Sequence, residues 1–116
     1  MGLKISTRID SHTEEFKRAM TEQAAQALDE IGFDAASTTS KTIRDIELVD
    51  TGRLMNSIDH EVVEQENAVY VGTNVEYAPY HEFGTSRGIK AKHFLQFGVS
   101  AHQEEYKKII EEKLKQ

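Results

Sequence analysis

Apolar and polar positions alternate at the start of the chain. Leu3, Ile5, Thr7 and Ile9 stand between Lys4, Ser6 and Arg8, which predicts a short edge or middle strand. The period then changes. Ser11 and Glu14 have capping-box spacing, so a helix is expected to begin at His12. Phe16, Met20, Ala24, Ala27, Leu28 and Ile31 follow at helical spacing. Gly32 fits either the residue just past a helix end or an interior position. Ala35, Ile43 and Ile46 keep roughly the same phase, and Phe33 falls on the opposite side. The pattern favours one long helix from about 12 to 46, strained or kinked at Gly32, where an interior glycine costs about 1 kcal/mol relative to alanine. Ala36 to Ser40 is its weakest stretch.

Val49 to Ile58, VDTGRLMNSI, reads as a turn into a helix of one or two turns. Asp50 or Thr51 can cap it, and Leu54 and Ile58 share a face. A hairpin follows, with one strand near Ser57 to Glu64, a polar turn, and a second strand near Ala68 to Thr73, both rich in β-formers. The turn lacks an Asn-Gly or Asp-Gly pair, which leaves the register open. Ser86 to Lys92 is a basic loop containing Gly88. From His93 the period is helical again, through Leu95, Val99, Tyr106, Ile109, Ile110 and Leu114. Lysines in its last turns suit the helix dipole and read as a solvated face. The expected fold is α+β: a single domain over 1–116 in which a small, mainly antiparallel sheet packs against a long N-terminal helix and a C-terminal helix.

Composition narrows the function classes. The 116 residues fit one domain, and 38% hydrophobic with 29% charged residues gives a thin core that a partner surface would complete. The net charge of −6, with no basic run outside the last turns, argues against a free nucleic-acid binder. The absence of cysteine excludes disulfides and thiolate metal sites. No apolar run reaches the length of a membrane span or signal segment, which points to the cytoplasm and away from membranes. Met1-Gly2 with Ser6 fits the myristoylation pattern, which is too short and common to carry a reading.

Val71 to Thr85, VGTNVEYAPYHEFGT, holds three of the nine aromatic residues, the only proline and two of the seven glycines, so any unusual chemistry should concentrate there. A zinc protease needs His-Glu-x-x-His, but Thr85 stands where the second histidine should follow His81-Glu82. His60, His81 and His93 would have to converge in space to hold a metal. Gly84 to Gly88, GTSRG, has neither the spacing of a nucleophile elbow nor the ending of a phosphate loop. No carboxylate pair has an apolar setting that would raise a pKa. A structural account remains. Tyr77, Tyr80 and Phe83 at i, i+3, i+6 would form an aromatic ridge on a short helix, with Pro79 in its first turn and Gly84 providing a left-handed exit. The ridge either plugs the chain's own core or presents rings to a neighbour; Phe83 is expected to be buried, with the hydroxyl of at least one of Tyr77 and Tyr80 exposed.

Three blocks together resemble the head–tail joining and minor tail protein family of long-tailed phages and prophages. VDTGRLMNSI matches through Asp50, Thr51, Gly52, Arg53, Leu54, Ser57 and Ile58. VYVGTNVEYAPYHEFGT matches through Gly72, Thr73, Tyr77, Ala78, Glu82, Phe83, Gly84 and Thr85. KAKHFLQFGV is similar to the third block, but His93 replaces the usual proline and Phe97-Gly98 a second Pro-Ala pair, so the last helix should start less sharply. Two long motifs in the right order are a specific signal. The resemblance implies a structural protein of the virion neck or tail, made in the host cytoplasm, with no catalytic residues and no cofactor. It implies neck or tail proteins as partners and a homo-oligomeric ring, a hexamer favoured, through which phage DNA passes without specific binding. Tyr77, Tyr80, Arg87, Lys90 and Lys92 are the candidate interaction residues, the three bases facing acidic surface on a neighbour and away from any lumen. The rivals are a small hydrolase using His81 and Glu82, which needs both in one concave site, and a peptide-binding adaptor, which needs an open sheet edge beside a groove.

Overall fold

One helix, α1, carries most of the apolar stripe. It spans Thr21–Asp45 and buries Ala24, Ala27, Leu28, Ile31, Ala35 and Ile43, while Phe33 on the opposite side is 70% exposed. The structure, a computed structural model, describes residues 5–10, 21–46, 51–66, 68–88 and 90–114. The Ser11/Glu14 capping box, the expected first turns with Phe16 and Met20, the Asp50 cap and the Met1-Gly2 pattern lie outside the described residues.

Gly32 does not interrupt α1, and it is not among the positive-φ glycines. The expected kink or strain gives way to close packing. A Cβ at this position would lie 2.6 Å from both the His60 ring and Val69 Cγ2, so glycine here lets the helix settle onto the sheet.

That sheet has three strands, β1 (Ile5–Asp10), β2 (Asp59–Val63) and β3 (Ala68–Thr73), in the order β1-β3-β2 and antiparallel throughout. β3 is central, which is why its residues are the most uniformly buried. Val69 and Val71 stand opposite Val62 and His60, and this face meets α1. A 3-10 turn over Glu64–Glu66 leads out of β2. The short helix α2, Thr51–Ser57, inserts Leu54 into the core and is held to α1 where Ser40 Oγ donates to the Met55 carbonyl at 3.0 Å. Helix α3 covers Ala78–Phe83, α4 Phe94–Ser100 and α5 Gln103–Leu114. The arrangement is α+β, with helices flanking a small antiparallel sheet.

The single C-terminal helix expected from the periodicity is two helices, divided at Ala101–His102. Ser100 Oγ donates back to the Gln96 carbonyl at 2.7 Å, a bond of the kind that bends helices. The turn also brings His102 and Tyr106 onto Asp34 of α1. His102 Nδ1 and the Tyr106 hydroxyl each lie 2.9 Å from Asp34 Oδ2.

Two glycine contacts give a graded expectation. A Cβ on Gly98 would lie 2.5 Å from the Thr39 backbone Cα, so α4 would have to move off α1. Gly98→Ala is expected to cost about 1–3 kcal/mol, the range for overpacking. At Gly32 the obstructing atoms are side chains that can turn, and alanine gains about 1 kcal/mol of helix propensity, so Gly32→Ala should lower the denaturant midpoint less. Equal midpoints for the two variants would contradict this ranking.

The α1–α5 junction should respond to pH. The hydrogen bond to Asp34, opposed by burial and reinforced by the charges of Asp34 and Glu105 against that of Lys41, raises the His102 pKa above 6.5. A raised histidine pKa contributes stability that is fully present below the unfolded value and lost as pH rises through the folded one. The stability gap between the wild type and His102→Gln should therefore be widest below the ordinary histidine value and close as pH rises through the raised folded one. A gap independent of pH would show that the ion pair contributes nothing.

Candidate functional site

The two motif blocks meet through hydroxyls. Ser57 Oγ donates to the Leu54 carbonyl at 2.7 Å and lies 2.6 Å from Thr73 Oγ1. Thr73, fully buried at the end of β3, accepts from the Val75 N–H at 3.1 Å. The proton count closes if Thr73 donates to Ser57, because Ser57 has spent its one hydrogen on Leu54. The end of α2 is thereby tied to the point where the chain leaves β3.

Arg53 reaches across the same corner. Its guanidinium donates to both Glu76 oxygens, at 3.2 and 2.9 Å, and lies 5.4 Å from the centre of the Tyr77 ring. The His81 ring meets Tyr77 edge-on, with 5.9 Å between centroids. Arg53 and Glu76 are both exposed, so the pair orients more than it stabilises. Gly72 is buried in β3 opposite Ser6 and Asp59. Thr51 opens α2. Gly52 has open space around it, and nothing in the structure requires glycine there.

Glu82 holds the central place. It is 4% exposed, and its carboxylate accepts the backbone N–H groups of Leu95 at 2.8 Å and Gln96 at 3.3 Å. Those are among the unsatisfied donors of the first turn of α4. Its own carbonyl accepts from His93 N–H at 3.2 Å, and the His81 carbonyl accepts from Lys92 at 2.6 Å. The ordinary capping position is occupied by His93, which makes no side-chain cap and adopts φ 50°, ψ 37°. The expected loose start of this helix is therefore corrected. It is set by a carboxylate from α3, with the positive dipole end of α4 favouring the negative charge.

The aromatic ridge faces outward, which overturns the expectation of a buried Phe83. Within α3 only Ala78 and Glu82 point inward, while Phe83 is 66% and Tyr80 54% exposed. The helix is six residues long, so the i, i+4 pair that meets the core leaves the i, i+3, i+6 ridge on its other side. Tyr77, just before the helix, is half-buried. Gly84 leaves with φ 76° and ψ 176°, a region open essentially to glycine alone, while its N–H closes the helix on Tyr80 O at 2.8 Å.

Around this clasp lies an exposed surface. Arg87, Lys90 and Lys92 are all exposed, and Phe97 on α4, in edge contact with His93, is 58% exposed. The hydrolase reading required a shared concavity for His81 and Glu82, but both Glu82 oxygens face the chain's own backbone amides. His60 contacts Asp29 and Phe33, His81 contacts Tyr77, and His93 contacts Phe97. Among the described residues no group of three or more potential ligands is placed to hold a metal ion, and no described helix is long and apolar enough to cross a membrane. A groove of about 380 Å³ does lie beside β2, lined by Phe33, Ser37, Ile58 and His60 among others.

The comparisons point one way. A family model described as Bacteriophage HK97-gp10, tail-component, matches residues 6–84, a span that includes Ser57, Thr73 and Glu82 and ends before the basic loop and α4. No curated protein and no solved structure matches the chain.

Proposed function

Because the chain belongs to the bacteriophage HK97-gp10 tail-component family, we propose that it is a structural part of the head–tail junction. It assembles with copies of itself, six favoured, and with neighbouring neck or tail proteins into a ring that DNA traverses without being bound specifically. The work is interface complementarity and requires no bond chemistry. The observation that carries this reading is the outward-facing Tyr80 and Phe83 on a helix whose inner face is locked to α4 through Glu82. Exposed rings beside an exposed basic loop suit a protein contact. The net charge of −6 suits a wall that must not hold phosphate, with Arg87, Lys90 and Lys92 turned from the lumen.

The test is a phage or prophage lacking this chain, complemented with a tagged copy. Heads and tails that fail to join without it, and label at the junction with six-fold density, are expected. Normally joined particles without it, or label elsewhere along the tail, refute the junction role. The groove beside edge strand β2 favours a second reading, in which an extended segment of another tail protein lies along that edge.

A further inference from the structure

We propose that copies of this chain join head to tail: the basic loop of one, flanked by Tyr80, Phe83 and Phe97, docks on the acidic β2 edge and the Phe33 groove of the next. The inference rests on the ring reading above and names the two surfaces that make the ring.

Three observations converge. The charges are complementary and, apart from Asp59, which accepts the His60 N–H at 2.7 Å and lies 3.9 Å from His60 Nδ1, they have no ion-pair partner among the described residues. Among the described residues no carboxylate is placed within ion-pair distance of Arg87, Lys90 or Lys92, and no Lys or Arg within that distance of Asp59, Glu61 or Glu64. All six are exposed. Each charged set also has apolar surface beside it, with exposed rings on one side and the groove under Phe33, itself 70% exposed, on the other. The two surfaces lie at opposite edges of the sheet: α4, which follows the basic loop, packs against β1 and β3, whereas the acids lie on and just after β2. Two different patches at opposite edges make a heterologous contact, which propagates from copy to copy and closes into a ring when the rotation allows. In a chain of net charge −6, random approach of copies is repulsive. A concentrated basic loop selects one orientation.

Reversal of charge tests this directly. R87E/K90E/K92E and D59K/E61K/E64K should each weaken self-association by about tenfold or more, since like charges face each other at every contact. An equimolar mixture of the two variants should recover association, because each then offers the surface that the other lacks. Unchanged association of either variant, or a mixture no better than its parts, overturns the proposal. A second measurement works even if assembly occurs only in particles. The chain has no cysteine, so K90C/E61C should give a ladder of covalent oligomers under oxidising conditions in complemented particles, and K90C alone should not. Joined particles without a ladder, or K90C/E61C cross-linked to a different protein, overturn the docking mode while the junction role stands. Absence of the chain from particles sinks the junction role instead.

Discussion

Replacing Phe94 with alanine is expected to cost about 3–5 kcal/mol, the usual range for a buried phenylalanine, whereas Phe83→Ala should leave stability within about 0.5 kcal/mol. Phe94 opens α4, is wholly buried, and joins the cluster formed by Leu28, Ile31, Leu54 and Val71. Phe83 sits only eleven positions earlier in the sequence but is 66% exposed. A domain of this size holds about 5–15 kcal/mol in total, so Phe94→Ala should lie close to the unfolding threshold. Guanidinium titration of both variants decides the matter. Coincident midpoints, or a larger loss at Phe83, would mean that the ridge faces the core after all. If the junction role holds, Phe83→Ala should instead lower assembly while the fold is kept.

The Phe83 expectation went wrong for a definable reason. Spacing at i, i+3, i+6 establishes that three rings share a face, but not which way that face turns. The inward pair of α3 is Ala78 and Glu82, and a buried carboxylate is not what residue type leads one to expect. It becomes tolerable only once two backbone donors thirteen and fourteen positions away are in place. Readings with local causes fared better. The stripe on α1 follows a 3.6-residue period, and the β2–β3 hairpin follows β-former content, so both were visible. The motif blocks were visible as motifs, but their physical meaning lies in bonds between distant positions. Ser57 to Thr73 spans sixteen residues, and Glu82 to Leu95 spans thirteen. Gly32 and Gly98 belong with these. Each looks like a weak point in a helix until the neighbouring element that needs the space is known. The division at Ala101–His102 was missed because apolar spacing carries across a bend of two residues.

Removal of the Glu82 carboxylate is expected to have an effect nearly as large as loss of Phe94, and one with a distinctive location. Glu82→Ala leaves the Leu95 and Gln96 N–H groups without their acceptor in a largely buried setting. Each buried donor left unsatisfied costs about 1–3 kcal/mol, and loss of an ordinary helix cap about 0.5–2 kcal/mol. Water entering the gap would relieve part of this, so about 3 kcal/mol is expected. Glu82→Gln keeps the shape and one acceptor but loses the negative charge at the positive end of α4. It should cost nearer 1 kcal/mol, the magnitude typical of a charge at a helix terminus. Hydrogen exchange separates this from a general loss of packing. The amides of Leu95 and Gln96 should lose protection in Glu82→Ala by more than those of β3, because the opening begins at the start of α4. His93 favours opening at the same place. Its left-handed backbone costs about 1–3 kcal/mol, strain that is relieved when the start of α4 opens, whereas its N–H on the Glu82 backbone carbonyl does not depend on the carboxylate. Uniform loss of protection across α4 and β3, or a Glu82→Gln variant as damaged as Glu82→Ala, would show that Glu82 acts only by filling space.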